Sequence, residues 1–207
     1  RKAAQRMPSD RLAQQIEFIV EVDRLKQVFR QTLLMDASRR ENDAEHSWHL
    51  ALMAVLLSEY SAAPDLDLLR VIKMVLVHDI FEIDCGDTFC YDKEANIGKL
   101  ERETKSADRI FNILPPDLAA DVRALWDEFE ARQTPEARFA AALDRLQPLL
   151  HNFRTEGAAW RRHGVTADQV IERNCHIAEG APALWEFARG MIEDAVRKGY
   201  LAPAPDQ

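Results

Sequence analysis

Apolar residues recur along most of this chain at three- and four-residue intervals, the period of helices with one buried face. Leu12, Ile16, Ile19, Leu25 and Val28 mark a first helix from Ser9, which follows Pro8 and serves as N-cap, to about Val28. From Phe29 to Glu41 the pattern breaks, and Arg30, Arg39 and Arg40 gather there. Asn42-Asp43-Ala44-Glu45 is a capping box opening a second helix, which carries His46 in its first turn and runs through Leu50, Met53, Ala54 and Leu57 toward Tyr60. Ala63-Pro64-Asp65 reads as a turn with Asp65 capping a third helix, and a loop from Asp84 to about Ala95 follows that helix. A fourth helix spans roughly 97–114 and stops at Pro115-Pro116. Residues 117–133 are helical again, and Thr134-Pro135-Glu136 restarts a helix through Phe139, Leu143, Leu146 and Leu150. Thr166-Ala167-Asp168-Gln169 is a further capping box, and a last helix from about Pro182 ends at Gly199. No β-branched alternation of strand length and no internal repeat is visible. The pattern predicts an all-α, single-domain fold over 9–200, with tails at 1–8 and, disordered, at 201–207.

The third helix departs from the ordinary amphipathic pattern. Val71-Ile-Lys-Met-Val-Leu-Val77 is almost unbroken aliphatic, and it delivers His78, Asp79 and Glu82 in quick succession before Gly86-Asp87. A buried charge without a partner costs several kcal/mol, so such groups are paired, protonated or bound to metal. His46 and Asp144 are likewise set among apolar neighbours on helices. Two imidazoles and two carboxylates suit one divalent ion of Mn, Fe, Co, Ni or Zn; the set is too rich in nitrogen for Ca and unattractive for Mg. The competing account of Asp144 is a buried acid paired with Arg145 or Arg138.

Composition narrows the partners. The chain has 207 residues, 30% of them charged, and a formal net charge of -8. That balance argues against nucleic-acid polymers and anionic membranes, which need clustered Lys and Arg. It leaves room for a small anionic substrate, because a metal and one or two Arg invert the field locally. No apolar run reaches the roughly 20 residues that span a bilayer, and the basic stretch Arg1–Arg6 lacks the apolar core of a secretory signal. Three cysteines, Cys85, Cys90 and Cys175, read as free thiols in a reducing, cytoplasmic setting.

Glu45-His46-Ser47, then His78-Asp79 with Glu82 and Gly86-Asp87, then Leu143-Asp144-Arg145-Leu146, taken in order, resemble the HD-domain metal-dependent phosphohydrolases. Within them the chain is most similar to the branch of bacterial 5′-deoxynucleotidases and their eukaryotic relatives. Leu25-Lys26 through Phe29-Arg30, Arg40-Glu41-Asn42, Leu125-Trp126 with Glu128-Phe129, and Thr134-Pro135-Glu136-Ala137 add to the likeness, which covers about 20–155. The resemblance implies an HD-type helical bundle in which His46, His78, Asp79 and Asp144 hold one divalent metal. It implies that Glu82 and Asp87 are catalytic and that Arg30 grips the substrate phosphate. It implies hydrolysis of a small phosphomonoester, a (deoxy)nucleoside 5′-monophosphate, by attack of metal-activated water, in a homodimer. One departure bears on the sugar: such enzymes place tryptophan directly after the arginine, where this chain has Gln31, and proline next, where it has Thr32.

Several residues have plainer readings. His49 is a neighbour of the site, His151 a helix-terminal surface histidine, and His163 and His176 are exposed. Asp84 is a helix-terminal or loop acid. Arg39 and Arg40 are solvated, unless Arg40 orients a ligand. Trp48, Trp126, Phe129 and Phe139 belong to the core, and Lys99–Lys105 is a solvated helix face. The alternatives to the phosphomonoesterase are an HD-type phosphodiesterase or guanosine-tetraphosphate hydrolase, and a non-catalytic helical module secured by its metal. The phosphodiesterases carry extra histidines absent here, and the tetraphosphate hydrolases carry adjacent acids where Glu82 is followed by Ile83.

Overall fold

Where the helical period breaks after Val28, the chain changes backbone. The computed structural model describes residues 8–87 and 98–205. Helix α1 (Pro8–Val22) passes through a 3-10 turn, Asp23–Gln27, into two strands, β1 (Phe29–Leu33) and β2 (Arg40–Asn42). They pair antiparallel, Phe29 with Asn42 and Leu33 with Arg40, across an irregularity. The Arg40 side chain donates to the Phe29 and Arg30 carbonyls, so it braces the ribbon rather than a ligand. This corrects the expectation of no strand. The ribbon is too short and too polar to show as alternation.

The capping box then forms as its residues dictate. The Asn42 side chain accepts the Glu45 amide at 3.0 Å and Glu45 accepts the Asn42 amide at 3.2 Å, opening α2 (Asp43–Leu57). Helix α3 (Leu68–Val77) is capped by Asp67, which accepts the Arg70 amide at 3.0 Å, and not by Asp65. At its end the chain tightens into three-residue turns, Val77 carbonyl to Ile80 amide and Asp79 carbonyl to Glu82 amide, before the short α4 (Glu82–Cys85). Helices α5 (Lys99–Phe111) and α6 (Pro116–Ala131) follow, with Pro116 opening α6 at a position that needs no amide donor. Thr134 caps α7 (Pro135–Arg154) by accepting the Ala137 amide. The remaining helices are α8 (Ala158–His163), α9 (Ala167–Asn174), α10 (Ile177–Gly180) and α11 (Pro182–Arg197). Gly180 has no Cβ because one would lie 2.3 Å from the Arg138 carbonyl oxygen; this lets α10 press on α7.

Two apolar clusters result. The larger joins α2, α3, α7 and the C-terminal helices through Leu50, Met74, Phe139, Leu143 and Ile177. The smaller joins Leu25, Ile80, Phe81, Ile110, Phe111 and Trp126. His78 and Asp79 lie between Val75 of the first and Ile80 of the second, at the seam.

Several placements differ from expectation. Trp48 is 63% exposed, stacked on His49, while Trp126, Phe129 and Phe139 are buried as predicted. Glu103 is buried within an otherwise solvated stretch. Leu201, assigned to the disordered tail, is buried, and the Ala167 amide donates to the Ala202 carbonyl at 2.9 Å. Among the described residues no helix is long and apolar enough to cross a membrane. Cys85 and Cys175 are free thiols; Cys90, tail residues 1–7 and 88–95 of the expected loop lie outside the described residues.

Candidate metal centre and active site

Helices α2, α3 and α7 each bring polar side chains to the seam. His46, one turn into α2, is wholly buried, and its Nε2 lies 3.0 Å from Asp144 Oδ1 on α7. His78 closes α3, its Nδ1 donating to the Val75 carbonyl at 2.9 Å and so presenting Nε2 inward. That Nε2 sits 3.1 Å from Asp79 Oδ2 and 3.6 Å from Asp144 Oδ1. It is enclosed yet lies off the line of any hydrogen bond. His46 Nε2 to Asp79 Oδ2 is 3.8 Å. The four predicted ligands therefore converge. Burial lowers the His46 imidazole, to about 4, so the ring is neutral. Burial also depresses His78, but Asp79 and Asp144 overcome it and lift the ring to about 10. Desolvation would raise Asp79, yet His78 and Arg30 hold it below the usual carboxylate range.

These donors fit a divalent transition ion. His46, His78 and Asp79 offer ligand atoms within 4.8 Å of one another. An imidazole nitrogen buried without a hydrogen-bond partner is costly to leave so, and two nitrogens with carboxylate oxygens suit a borderline cation. Pro148, four residues after Asp144, lacks the amide that would pair with the Asp144 carbonyl in α7.

A cleft of about 280 Å³ opens beside the four and is lined by Arg30, Gln31, Glu82, Asp87 and Asp144 among others. Glu82 does not continue the helix of His78, as its spacing suggested; the break after Val77 still turns it to the same side. Burial and the nearby Asp79, Asp43 and Asp87 push Glu82 well above the ordinary range. Asp87 is also raised by burial, and it accepts a hydrogen bond from the Gln31 backbone. Arg30 Nη1 donates to Asp79 Oδ2 at 2.9 Å and to Asp43 Oδ1 at 3.2 Å, so its guanidinium is anchored on acids while lining the cleft. Lys99, Arg132 and Arg145 line it too. With Arg173 they face the acids Asp79, Glu82, Asp87, Glu103, Glu130 and Asp144 across the same cleft.

Sequence reasoning missed four participants. Asp43, one turn before His46, is fully buried, and desolvation and Asp79 raise it to about 7. Glu41, Gln147 and His151 are buried behind His46. His151 is not at the surface because β1 covers the end of α7: its Nδ1 donates to the Leu33 carbonyl at 2.7 Å. The i, i+3 spacing of Asp43 to His46 and of Asp144 to Gln147 was the available signal. Of the plainer readings, Asp84 pairs with Arg109 and Arg39 with Glu45, both at the surface, and His163 is exposed. His176 is half-buried instead, lowered to about 4 by burial and by Arg145, Arg132 and Arg173. Asp144 also keeps Arg145 close, Nη2 to Oδ2 at 3.6 Å.

Comparison with known proteins identifies the family and the fold. A crystal structure of a predicted metal-dependent phosphohydrolase from Magnetospirillum magnetotacticum MS-1 superposes with a TM-score of 0.91 at 56% identity, over 95% of this chain and 98% of that one. The 5′-deoxynucleotidase HDDC2 of Xenopus laevis is 30% identical over 142 residues, 68% of this chain and 69% of the relative. The human HDDC2 is 29% identical over 136 residues, and the match spans 65% of the human protein's length. The model of the HD domain matches residues 22–185, a span holding every residue of the convergent site. With two histidines and two acids meeting at the seam inside that span, the chain belongs to the HD-domain family.

Proposed function

We propose that this protein is a metal-dependent phosphohydrolase that releases phosphate from a small phosphomonoester, a (deoxy)nucleoside 5′-monophosphate. The observation that carries the reading is the convergence of His46, His78, Asp79 and Asp144 on one buried point beside an open cleft. The relationship to the 5′-deoxynucleotidases supports the nucleotide. The four side chains would hold one divalent transition ion, of Mn, Co, Fe, Ni or Zn. When bound, such an ion makes hydroxide available near neutral pH and neutralises phosphoryl charge.

The remaining roles fall to the chain's own groups. Arg30, held in place by Asp43 and Asp79, faces the cleft and binds phosphate oxygens. Glu82, shifted toward its protonated form by burial and its acidic neighbours, donates a proton to the departing sugar oxygen. Asp87, tied to the Gln31 backbone, orients the attacking water. Two copies pair through the apolar face of α1, where Leu12, Ile16, Ile19 and Val20 are 51–66% exposed. The free cysteines suit a reducing compartment, the cytoplasm.

Phosphate release from a panel of nucleoside and deoxynucleoside monophosphates, with Mn or Co added to the purified chain, tests the activity. Glu82→Gln should lower kcat by about 10²–10⁴-fold with KM and metal content unchanged. Failure of the metal-replete protein to hydrolyse any phosphomonoester would overturn the reading.

A further inference from the structure

Behind His46, away from the cleft, lies a buried polar group that the proposed reaction does not use. Glu41, His49 and His151 present ligand atoms within 4.8 Å of one another, as a second metal site would. The space between them is filled. Gln147 Nε2 stands 2.6 Å from Glu41 Oε1, 2.9 Å from His151 Nε2 and 3.4 Å from His49 Nδ1. An amide nitrogen brings two hydrogens and no lone pair, so these acceptors converge on a donor rather than a cation.

The sense of every hydrogen bond in the group follows from one end. A backbone carbonyl only accepts, so His151 Nδ1 donates to Leu33. Burial favours the neutral His151 ring, which leaves its Nε2 as an acceptor. Gln147 must then turn its amino group toward His151, with the second hydrogen on Glu41 Oε1. Its carbonyl oxygen thereby faces His46 Nδ1, 3.1 Å away, and His46 must donate there. Reversing the amide would set its oxygen against the His151 lone pair, which leaves two buried acceptors opposed.

We propose that Gln147 is a positioning residue, oriented by Glu41, His151 and the Leu33 carbonyl, that fixes His46 as its Nδ1–H tautomer and keeps Nε2 bare for the metal. The inference rests on His46 being a ligand. His78 donates its Nδ1 hydrogen within its own helix, to the Val75 carbonyl; His46 has its Nδ1 partner held from the ribbon, through two intervening side chains. Partners of this kind govern ligand orientation, and their loss costs about 10–100-fold in metal affinity.

The test uses the full chain and zinc, titrated against a competing chelator. His151→Phe fills the ring's volume but can neither donate to Leu33 nor accept from Gln147, and its zinc affinity should fall about 10–100-fold. His151→Gln can do both and should bind as the wild type does, with the melting temperature reported for each. The second measurement needs no folded variant at position 151. Ring ¹⁵N spectra of the metal-free wild type, well above the His46 value of about 4, should show His46 protonated on Nδ1, assigned by its loss in His46→Gln. Asp144, 3.0 Å from Nε2, is the competing acceptor, and a proton found on Nε2 overturns the proposal. So does wild-type affinity in folded His151→Phe, or equal weakening in both variants. Wild type that takes up no zinc defeats the reading of His46 as a ligand, while the ring spectrum still judges the tautomer.

Discussion

Glu41 illustrates how a single buried side chain sets a pH dependence. Burial raises its carboxyl from 4.5 to about 7 although Arg30 and Gln147 draw it down. In the unfolded chain it ionises earlier, so folding is most favourable below the unfolded value, weakens as pH rises toward 7, and is level above it. The difference corresponds to a penalty of up to about 3 kcal/mol in the ionised range. Glu41→Gln, which still offers an acceptor to Gln147, should raise the melting temperature at alkaline pH and leave it nearly unchanged in mild acid; equal shifts at both pH values would refute this. Gln31 is the other telling position. It lines the cleft, at the position where the resemblance to the deoxynucleotidases leads one to expect tryptophan. Gln31→Trp should raise the ratio of deoxyribo- to ribonucleotide kcat/KM, measured with paired substrates. At this scale the sequence disclosed the convergent side chains whose polarity contrasts with apolar surroundings, such as His78 and Asp79 after an aliphatic run. It hid Glu41 and His151, because each is ordinary until β1 and α7 are packed together.

Helix ends were legible because their signals are local. Asn42, Thr134 and Thr166 cap the helices their spacing announces. The ribbon was not legible, because pairing depends on residues separated in the chain, and α8 and the break that separates α10 from the helix capped by Thr166 were lost for the same reason. Gly180 shows the energetic side of such packing. Gly180→Ala would force a methyl to within 2.3 Å of the Arg138 carbonyl oxygen, and displacing α10 from α7 should cost about 1–3 kcal/mol. Neither Gly180 nor Arg138 lines the cleft, so calorimetry should show the lost stability while kcat per folded molecule stays near the wild-type level.

Across the whole molecule, three helices remote in sequence share four charged or imidazole groups at one seam, and an ion binding there joins the two apolar clusters. At an ion concentration one hundred times the Kd, Mn or Co should stabilise the chelator-treated protein by about 2.7 kcal/mol. For a chain of this size that is about 5–10 °C in Tm. Asp144→Asn should abolish the gain; a gain retained in that variant would place the ion elsewhere.

The ribbon carries a last consequence, for insertions and engineering. Arg30 and Gln31 on β1 line the cleft, and the Leu33 carbonyl two residues on reaches His151. A strand reverses its faces with each added residue, so one residue inserted between Gln31 and Thr32 would dislodge both connections together. The turn at Met35–Arg39 is exposed and touches neither. Loop grafts, labels or affinity handles belong at that turn, where length is free to vary, while the few residues beside it have no latitude at all.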